Sequence, residues 1–188
     1  MLKKIFIGVF LVLLLTSCWD SETISDTWLI KTETNNITIE IPSNWKLIKN
    51  TDNILPKIKS WKIELAVMSE KIVNWFSNNL LILSDKLNKF TTSKDFSMLN
   101  NIWAQTDYID YTKIASKDFK FLDEEKSVLY IFDAKYNLDT PKLKFLQTAH
   151  ICNWNEAYFL TLAIPTTVID TSKYEYLLST FSCKEKKL

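Results

Sequence analysis

The chain has 188 residues, of which 47% are hydrophobic and 24% are charged, and its formal net charge at pH 7 is +1. This length suits one domain with a sizeable core. The 23 basic and 22 acidic side chains nearly cancel, so there is no basic surface to neutralise phosphates, and nucleic-acid binding is disfavoured.

The chain begins with a short basic start and an apolar run. Lys3 and Lys4 precede residues 5–15, which are apolar except for one glycine, and two small polar residues follow. Basic, apolar and small-residue segments in this order are the parts of a secretory signal peptide. The run is about half of the roughly twenty residues that a transmembrane helix needs, so the sequence favours a cleaved signal.

Residues 15–18 (LTSC) resemble the bacterial lipobox. In that family of signals the cysteine is acylated and the chain is cut directly before it. We therefore predict that residues 1–17 are a lipoprotein signal peptide and that Cys18 is lipidated. Acyl chains would then hold the protein on the extracytoplasmic face of the cell membrane, periplasmic or extracellular. The alternative is an ordinary signal peptide with an incidental cysteine.

The mature chain divides into three predicted parts. Residues 18–35 are polar and are predicted to be a tether between the lipid and the fold. Residues 36–183 are predicted to form a single domain, and residues 184–188 a short basic tail. Removal of the two signal-peptide lysines would leave a nearly neutral mature charge of −1.

Two further cysteines remain, Cys152 and Cys183. An even number of cysteines in an exported domain favours a disulfide. The alternative is a pair of buried free thiols, which are common in protein cores.

The sequence contains a single glycine and seven tryptophans. Average glycine usage of about 7% would give roughly a dozen. Trp45, Trp75 and Trp154 each follow an asparagine, and Asn-Gly is the strongest short hairpin signal. We hypothesise that several tryptophans are glycines in the organism, encoded by UGA codons that a different codon table assigns to tryptophan. The alternative is a genuinely aromatic-rich sequence whose turns use Asn, Asp, Ser and Lys.

Apolar patterns with a period of two, or continuous apolar runs, predict the strands. The segment 62–68 also admits a helix. The predicted strands are 37–41, 46–48, 62–68, 80–83, 108–121, 127–136, 142–152 and 157–164.

Two helices are predicted from caps and helical spacing. The first spans 93–105 after a cap within 92–95, and the second follows Pro165 near the end of the chain. The spacing that predicts them is carried by Phe96, Leu99, Asn100 and Trp103 in the first helix and by Tyr174, Leu177, Leu178 and Phe181 in the second.

Consecutive strands joined by short turns predict an α+β fold, an antiparallel β-sheet flanked by helices. Three segments resemble the PsbP-like family, which includes bacterial DcrB-like lipoproteins. They are the strand and turn ending in residues 42–45 (PSNW), the strand 76–82 (FSNNLLI), and the three-strand meander and helix of 127–182. The resemblance covers most of residues 35–183 and implies an α/β/α sandwich that serves as a binding or assembly module.

Residues able to do chemistry are few. His150 is the one histidine, so every serine or cysteine triad must use it. It is expected to be a hydrogen-bonded strand histidine that pairs only poorly with Cys152. The acidic cluster 123–125 is expected to be a solvated turn, and no zinc or calcium ligand spacing is present.

These observations predict a protein that is not an enzyme and has no cofactor or metal. The predicted function is a non-catalytic binding or assembly domain of unknown ligand. Its expected partners are the membrane, through acyl chains on Cys18, and another envelope protein. The alternative function is an extracytoplasmic hydrolase that uses dispersed carboxylates.

Overall fold

A computed structural model describes residues 29–48, 61–73 and 75–184 of the chain. Within these ranges the chain forms ten strands and two helices. In chain order they are β1 (Leu29–Glu33), β2 (Ile37–Pro42), β3 (Trp45–Leu47), β4 (Lys62–Ser69), β5 (Asn79–Lys86), α1 (Ser93–Asp107), β6 (Ile109–Lys120), β7 (Lys126–Lys135), β8 (Leu143–Cys152), β9 (Glu156–Pro165), α2 (Ser172–Ser179) and β10 (Ser182–Cys183).

Seven strands form one antiparallel sheet in the order β3-β4-β5-β9-β8-β7-β6. Because β7, β8 and β9 are joined by short connections, they pair as a meander. β9 also pairs over eight residues with β5, from Asn79↔Ala163 to Lys86↔Glu156. This long-range pairing joins the two halves of the sheet and puts β9 at its centre.

The two faces of this sheet carry separate cores. Ile131 and Leu146 belong to one core, whereas their neighbours Phe132 and Phe145 belong to another that includes Ala104 of α1. Successive side chains of a strand point to opposite faces, so α1 covers one face and the first core covers the other.

The first core is closed by a three-stranded sheet, β1-β2-β10, together with α2. In β2, Ile37, Ile39 and Ile41 are buried in alternation with half-buried residues, as expected for a strand with one face on the core. Tyr174 and Leu177 of α2 are buried in the same core. The large sheet is therefore covered by α1 on one face, and by α2 together with the three-stranded sheet on the other face.

The predicted class is confirmed in its main part, because the structure is mostly antiparallel sheet with two helices, although its helix content is low. The predicted strand 62–68 is β4, so its helical alternative is wrong. The predicted helices correspond to α1 and α2. β1 and the two-residue β10 were not predicted.

The predicted tether boundary at residue 36 needs correction. Residues 29–33 form β1, which pairs with β2 from Leu29↔Pro42 to Glu33↔Thr38. Lys184 is the first residue of the predicted tail. Its ammonium group donates a hydrogen bond to the Thr34 carbonyl oxygen at 2.7 Å. The charged residues of β1 gave no strand signal in the sequence. β1 belongs to the sheet only because it pairs with the apolar strand β2. The predicted signal peptide, Cys18 and residues 185–188 lie outside the described residues.

In the described part of the chain, no helix is both long and apolar enough to cross a membrane.

Candidate functional site

Four side chains from three separate parts of the chain meet at the end of β8. His150 and Cys152 come from β8, Cys183 from β10, and Asp123 from the turn between β6 and β7. We call these four residues the His150 cluster. Because His150 and Cys152 are two residues apart on a strand, they share a face, and this face points toward the core that contains β2 and α2.

Cys152 and Cys183 are joined by a disulfide, with their Cα atoms 5.8 Å apart. Cys183 lies opposite Ile37 in the pairing of β10 with β2. The bond therefore links the three-stranded sheet directly to the large sheet.

The turn that carries Asp123 is fixed by its own backbone. The Phe121 amide donates to the Glu125 carbonyl at 3.0 Å, and the Glu125 amide donates to the Asp123 carboxylate at 3.3 Å. The Leu122 amide donates to the Ser179 carbonyl at 2.9 Å, which ties the turn to the end of α2. The Asp123 carboxylate is thereby held toward β8.

His150 is 3% exposed, and its Nε2 lies 2.9 Å from Oδ2 of Asp123. Burial alone raises the pKa of the Asp123 carboxyl. The hydrogen bond and charge of His150, with the Glu125 amide, outweigh burial, so the net pKa lies below its usual value. The pKa of Asp123 is lower in the folded chain than in the unfolded chain. The stability that this carboxylate contributes is therefore present above about pH 4, and it is lost as the pH falls through the folded pKa.

Aromatic rings surround the histidine. The centroid of Phe121 lies 4.7 Å and that of Phe181 5.1 Å from the His150 ring. Tyr158 packs on Phe181 with a centroid distance of 5.4 Å, and Tyr158 and Phe181 are almost completely buried. The His150 cluster thus combines a charged carboxylate with an apolar surround.

One expectation for this region was wrong: the acidic turn is not simply solvated, since Asp123 bonds His150 and Glu125 bonds Ser93. His150 is a hydrogen-bonded strand histidine, as expected. Its Nδ1 atom lies 3.7 Å from the disulfide sulfur Sγ of Cys152. Three side chains that could hold a metal ion are brought together by the fold and not by sequence spacing. The shared strand face of His150 and Cys152 was the one signal available.

Helix α1 presents a second feature, because its sheet-facing side is mostly polar. Ser97 Oγ donates to the Val128 carbonyl at 2.7 Å, and Asn101 Nδ2 donates to the Tyr111 hydroxyl at 2.9 Å. Ser93 Oγ accepts from the Ile151 amide at 2.8 Å. These bonds satisfy polar groups that would otherwise be costly to bury. The buried residues of α1 are Ser93, Phe96, Ser97, Asn100, Asn101 and Ala104.

The opposite side of α1 is apolar and faces solvent. We call Met98, Leu99, Ile102 and Trp103 the outer face of α1; their exposures are 44%, 43%, 58% and 48%. Of the four residues whose spacing predicted this helix, Phe96 and Asn100 are buried, whereas Leu99 and Trp103 are exposed. A surface helix normally has the reverse arrangement, with its apolar side on the core.

The structure is similar to the solution structure of cyanobacterial PsbP (CyanoP) from Synechocystis sp. PCC 6803. The TM-score is 0.55 at 14% sequence identity, and the match covers 90% of this chain and 99% of that one. A crystal structure from Bacteroides thetaiotaomicron VPI-5482 gives a TM-score of 0.42 at 8% identity, covering 80% of this chain and 46% of that one. No family model matches the sequence, and no curated protein matches it. The chain has a PsbP-like fold.

Proposed function

We propose that this chain is a lipid-anchored protein of the cell envelope whose PsbP-like domain is a non-catalytic binding or assembly module. Within that fold, its place is with the bacterial DcrB-like lipoproteins. The observation that carries the binding function is the outer face of α1, an apolar surface on the solvent side of a helix whose sheet-facing side is mostly polar. Exposed apolar patches on soluble domains commonly mark interaction sites.

The location rests on the LTSC quartet behind a basic and apolar start. The disulfide between Cys152 and Cys183 supports it, because disulfides persist mainly in oxidising compartments outside the cytoplasm. The acyl chains on Cys18 would keep the domain at the extracytoplasmic surface of the membrane, where a partner protein can be reached.

The occupant of the outer face is a protein and not the lipid surface. Helices that lie on anionic membranes carry lysines and arginines beside their apolar face. The charged residues of α1 are Lys94, Asp95 and Asp107, which give it a net negative charge. An apolar, weakly acidic helix face fits an apolar groove on an envelope protein.

The alternative hydrolase needs a carboxyl group whose pKa is raised, so that it can act as an acid. Among the residues that the structure describes, three carboxyl groups have displaced pKa values: Glu33, Asp123 and Asp170. All three are displaced downward: Glu33 chiefly by its bonds to Lys184 and Lys31, and Asp170 by its bonds to Ser172. Asp123 is held ionised by His150. These lowered pKa values therefore favour the binding module over the hydrolase.

Replacing Cys18 by serine tests the location. We expect Cys18→Ser to abolish labelling with a radioactive or alkyne fatty acid and to move the protein from the membrane fraction to the soluble fraction, because the thiol is the acyl acceptor. Ser21→Ala, in the predicted tether, is the matched control and should stay in the membrane. Unchanged membrane retention of Cys18→Ser would refute the lipid anchor.

Photo-crosslinking in intact cells tests the binding function. With p-benzoylphenylalanine at Leu99 of the acylated protein, we expect one discrete protein adduct. The same probe at Leu138, which is 79% exposed on the β7–β8 connection, should give none. A second change, Ile102→Lys, should abolish the adduct from position 99 while altering the free energy of unfolding by less than about 0.5 kcal/mol, as for other surface changes.

Equal labelling from both positions would contradict a specific partner surface. Adducts to phospholipid from position 99 would show that the outer face lies on the membrane, and would contradict the protein partner. Persistence of the adduct in the Ile102→Lys variant would also contradict this assignment.

A further inference from the structure

Three donor atoms of the His150 cluster converge on one point. Nδ1 of His150 lies 3.5 Å from Sγ of Cys183 and 3.7 Å from Sγ of Cys152. All three atoms lie within 4.8 Å of one another. Two sulfurs and one imidazole nitrogen at this spacing form a ligand set that a metal ion can bridge with small side-chain movements.

Asp123 holds the histidine ring in place. Its Oδ2 atom lies 2.9 Å from Nε2 of His150, and the other ring nitrogen, Nδ1, faces the two sulfurs. A carboxylate on the far nitrogen is the usual arrangement behind a metal-binding histidine, where it fixes the ring and raises its basicity.

The surroundings select the class of metal. His150 and Cys152 are 3% and 2% exposed, and the rings of Phe121 and Phe181 pack against the imidazole. Hard cations such as Ca²⁺ and Mg²⁺ take about six or more oxygen ligands, whereas the converging atoms are two sulfurs and one nitrogen. Thiolates with an imidazole suit soft ions, chiefly Cu⁺ and Zn²⁺.

We propose that the reduced pair Cys152 and Cys183, together with His150, binds one thiophilic metal ion, Cu⁺ or Zn²⁺, and that disulfide formation removes the site. In the disulfide the two sulfurs are bonded to each other and cannot serve as thiolates. Metal binding and oxidation are therefore mutually exclusive states of the same side chains.

A dithiol–disulfide couple supplies and accepts the electrons for the exchange between the metal-bound and disulfide states. A dithiol reductant gives two electrons and two protons to the Cys152–Cys183 bond and itself becomes a disulfide. The metal then displaces both thiol protons to solvent, forming two metal–sulfur bonds and one metal–nitrogen bond. In the reverse direction a disulfide oxidant accepts two electrons from the two thiolates and, with two protons from solvent, becomes a dithiol. Both metal–sulfur bonds break, the Cys152–Cys183 bond forms, and the ion is released. Three protein donors suffice for Cu⁺, whereas Zn²⁺ takes a fourth ligand from solvent.

The test uses the full acylated chain in detergent, reduced with a phosphine under nitrogen and compared with the untreated oxidised chain. Cu⁺ and Zn²⁺ are titrated separately against chromophoric chelators. We expect one ion per reduced chain, bound at least about 100-fold more tightly than by the oxidised chain. His150→Gln and Asp123→Asn should weaken binding by about 10–100-fold. Asp118→Asn, which changes a carboxylate on β6 that is 92% exposed, is the matched control and should not change it.

A second readout keeps the test decisive if reduction weakens the fold. The ion should raise the melting temperature of the reduced chain, or refold it, with a one-to-one endpoint. The proposal is overturned if the reduced chain binds neither ion more tightly than the oxidised chain does. It is also overturned if His150→Gln binds as well as wild type, or if neither ion stabilises the reduced chain.

Discussion

Replacing both bridged cysteines with alanine, Cys152→Ala and Cys183→Ala, is expected to lower the free energy of unfolding by about 3–4 kcal/mol. The two cysteines are separated by 31 positions in sequence, and the cross-link removes the corresponding loop entropy from the unfolded chain. The expected loss is large compared with the total stability of a single domain, which is about 5–15 kcal/mol.

The loss of stability should be greatest around β10 and the residue that follows it. β10 has only two residues and pairs only with Thr38 and Ile37 of β2, so its backbone bonds alone hold it weakly. Without the bridge, Cys183 and the adjoining residues lose their link to β8. We expect the amide of Lys184, which bonds the Asn36 carbonyl at 2.8 Å, to exchange with solvent faster in the variant.

Urea unfolding in oxidising and reducing buffer, with a chelator present, measures this contribution. The double variant should be less stable than wild type in oxidising buffer. In reducing buffer the two should differ by less than about 1 kcal/mol, since the cross-link is then absent from both. A variant as stable as oxidised wild type would contradict the expected role of the bridge.

The local elements were predictable because their signals lie within a few residues of each other. The alternation in β2 and the apolar runs of β5 and β9 follow directly from side chains facing a core. Thr92 caps α1 as expected, accepting from the Asp95 amide at 3.0 Å. Each of these patterns is complete within one segment.

The parts that were missed depend on contacts between distant segments. β1 is polar and becomes a strand only by pairing with β2. The side of α1 that meets the sheet could not be predicted, because spacing locates a helix without saying which side faces the core. The bonds of Ser97 and Asn101 decide it, since they require the backbone of β7 and the hydroxyl of Tyr111.

The candidate site was foreseen only in its cysteines. The even count of cysteines favoured the pairing of Cys152 with Cys183 over two free thiols, but only on the expectation that the chain is exported. The approach of Asp123 to His150 spans 27 positions and depends on the turn between β6 and β7. No pattern within the sequence encodes that distance.

Four tryptophans in the described part of the chain fall into two groups, which bears on the glycine hypothesis. Trp75 and Trp154 have backbone φ angles of 69° and 60° and side chains that are 99% and 66% exposed. The left-handed region is unfavourable for a bulky residue and natural for glycine. By contrast, Trp45 is 7% exposed in the core, and Trp61 packs on Phe96 at 5.8 Å.

Glycine substitution should therefore have opposite effects at the two kinds of site. We expect Trp75→Gly and Trp154→Gly each to raise the free energy of unfolding by about 1 kcal/mol, because each relieves a left-handed conformation at little cost in burial. Trp45→Gly should lower it by about 3–5 kcal/mol, because it leaves a large cavity in the core. Urea unfolding of the three variants measures both signs.

The gene provides an independent check on the same division. If UGA encodes glycine in this organism, the codons at Trp75 and Trp154 should be UGA, and the codon at the buried Trp45 should be UGG. The turn at Trp154 strengthens the expectation, because Asn153 also has a positive φ of 48°, and two successive left-handed residues are the conformation that Asn-Gly favours in a hairpin. UGG codons at both exposed positions would refute the recoding, and loss of stability in Trp75→Gly and Trp154→Gly would refute its structural basis.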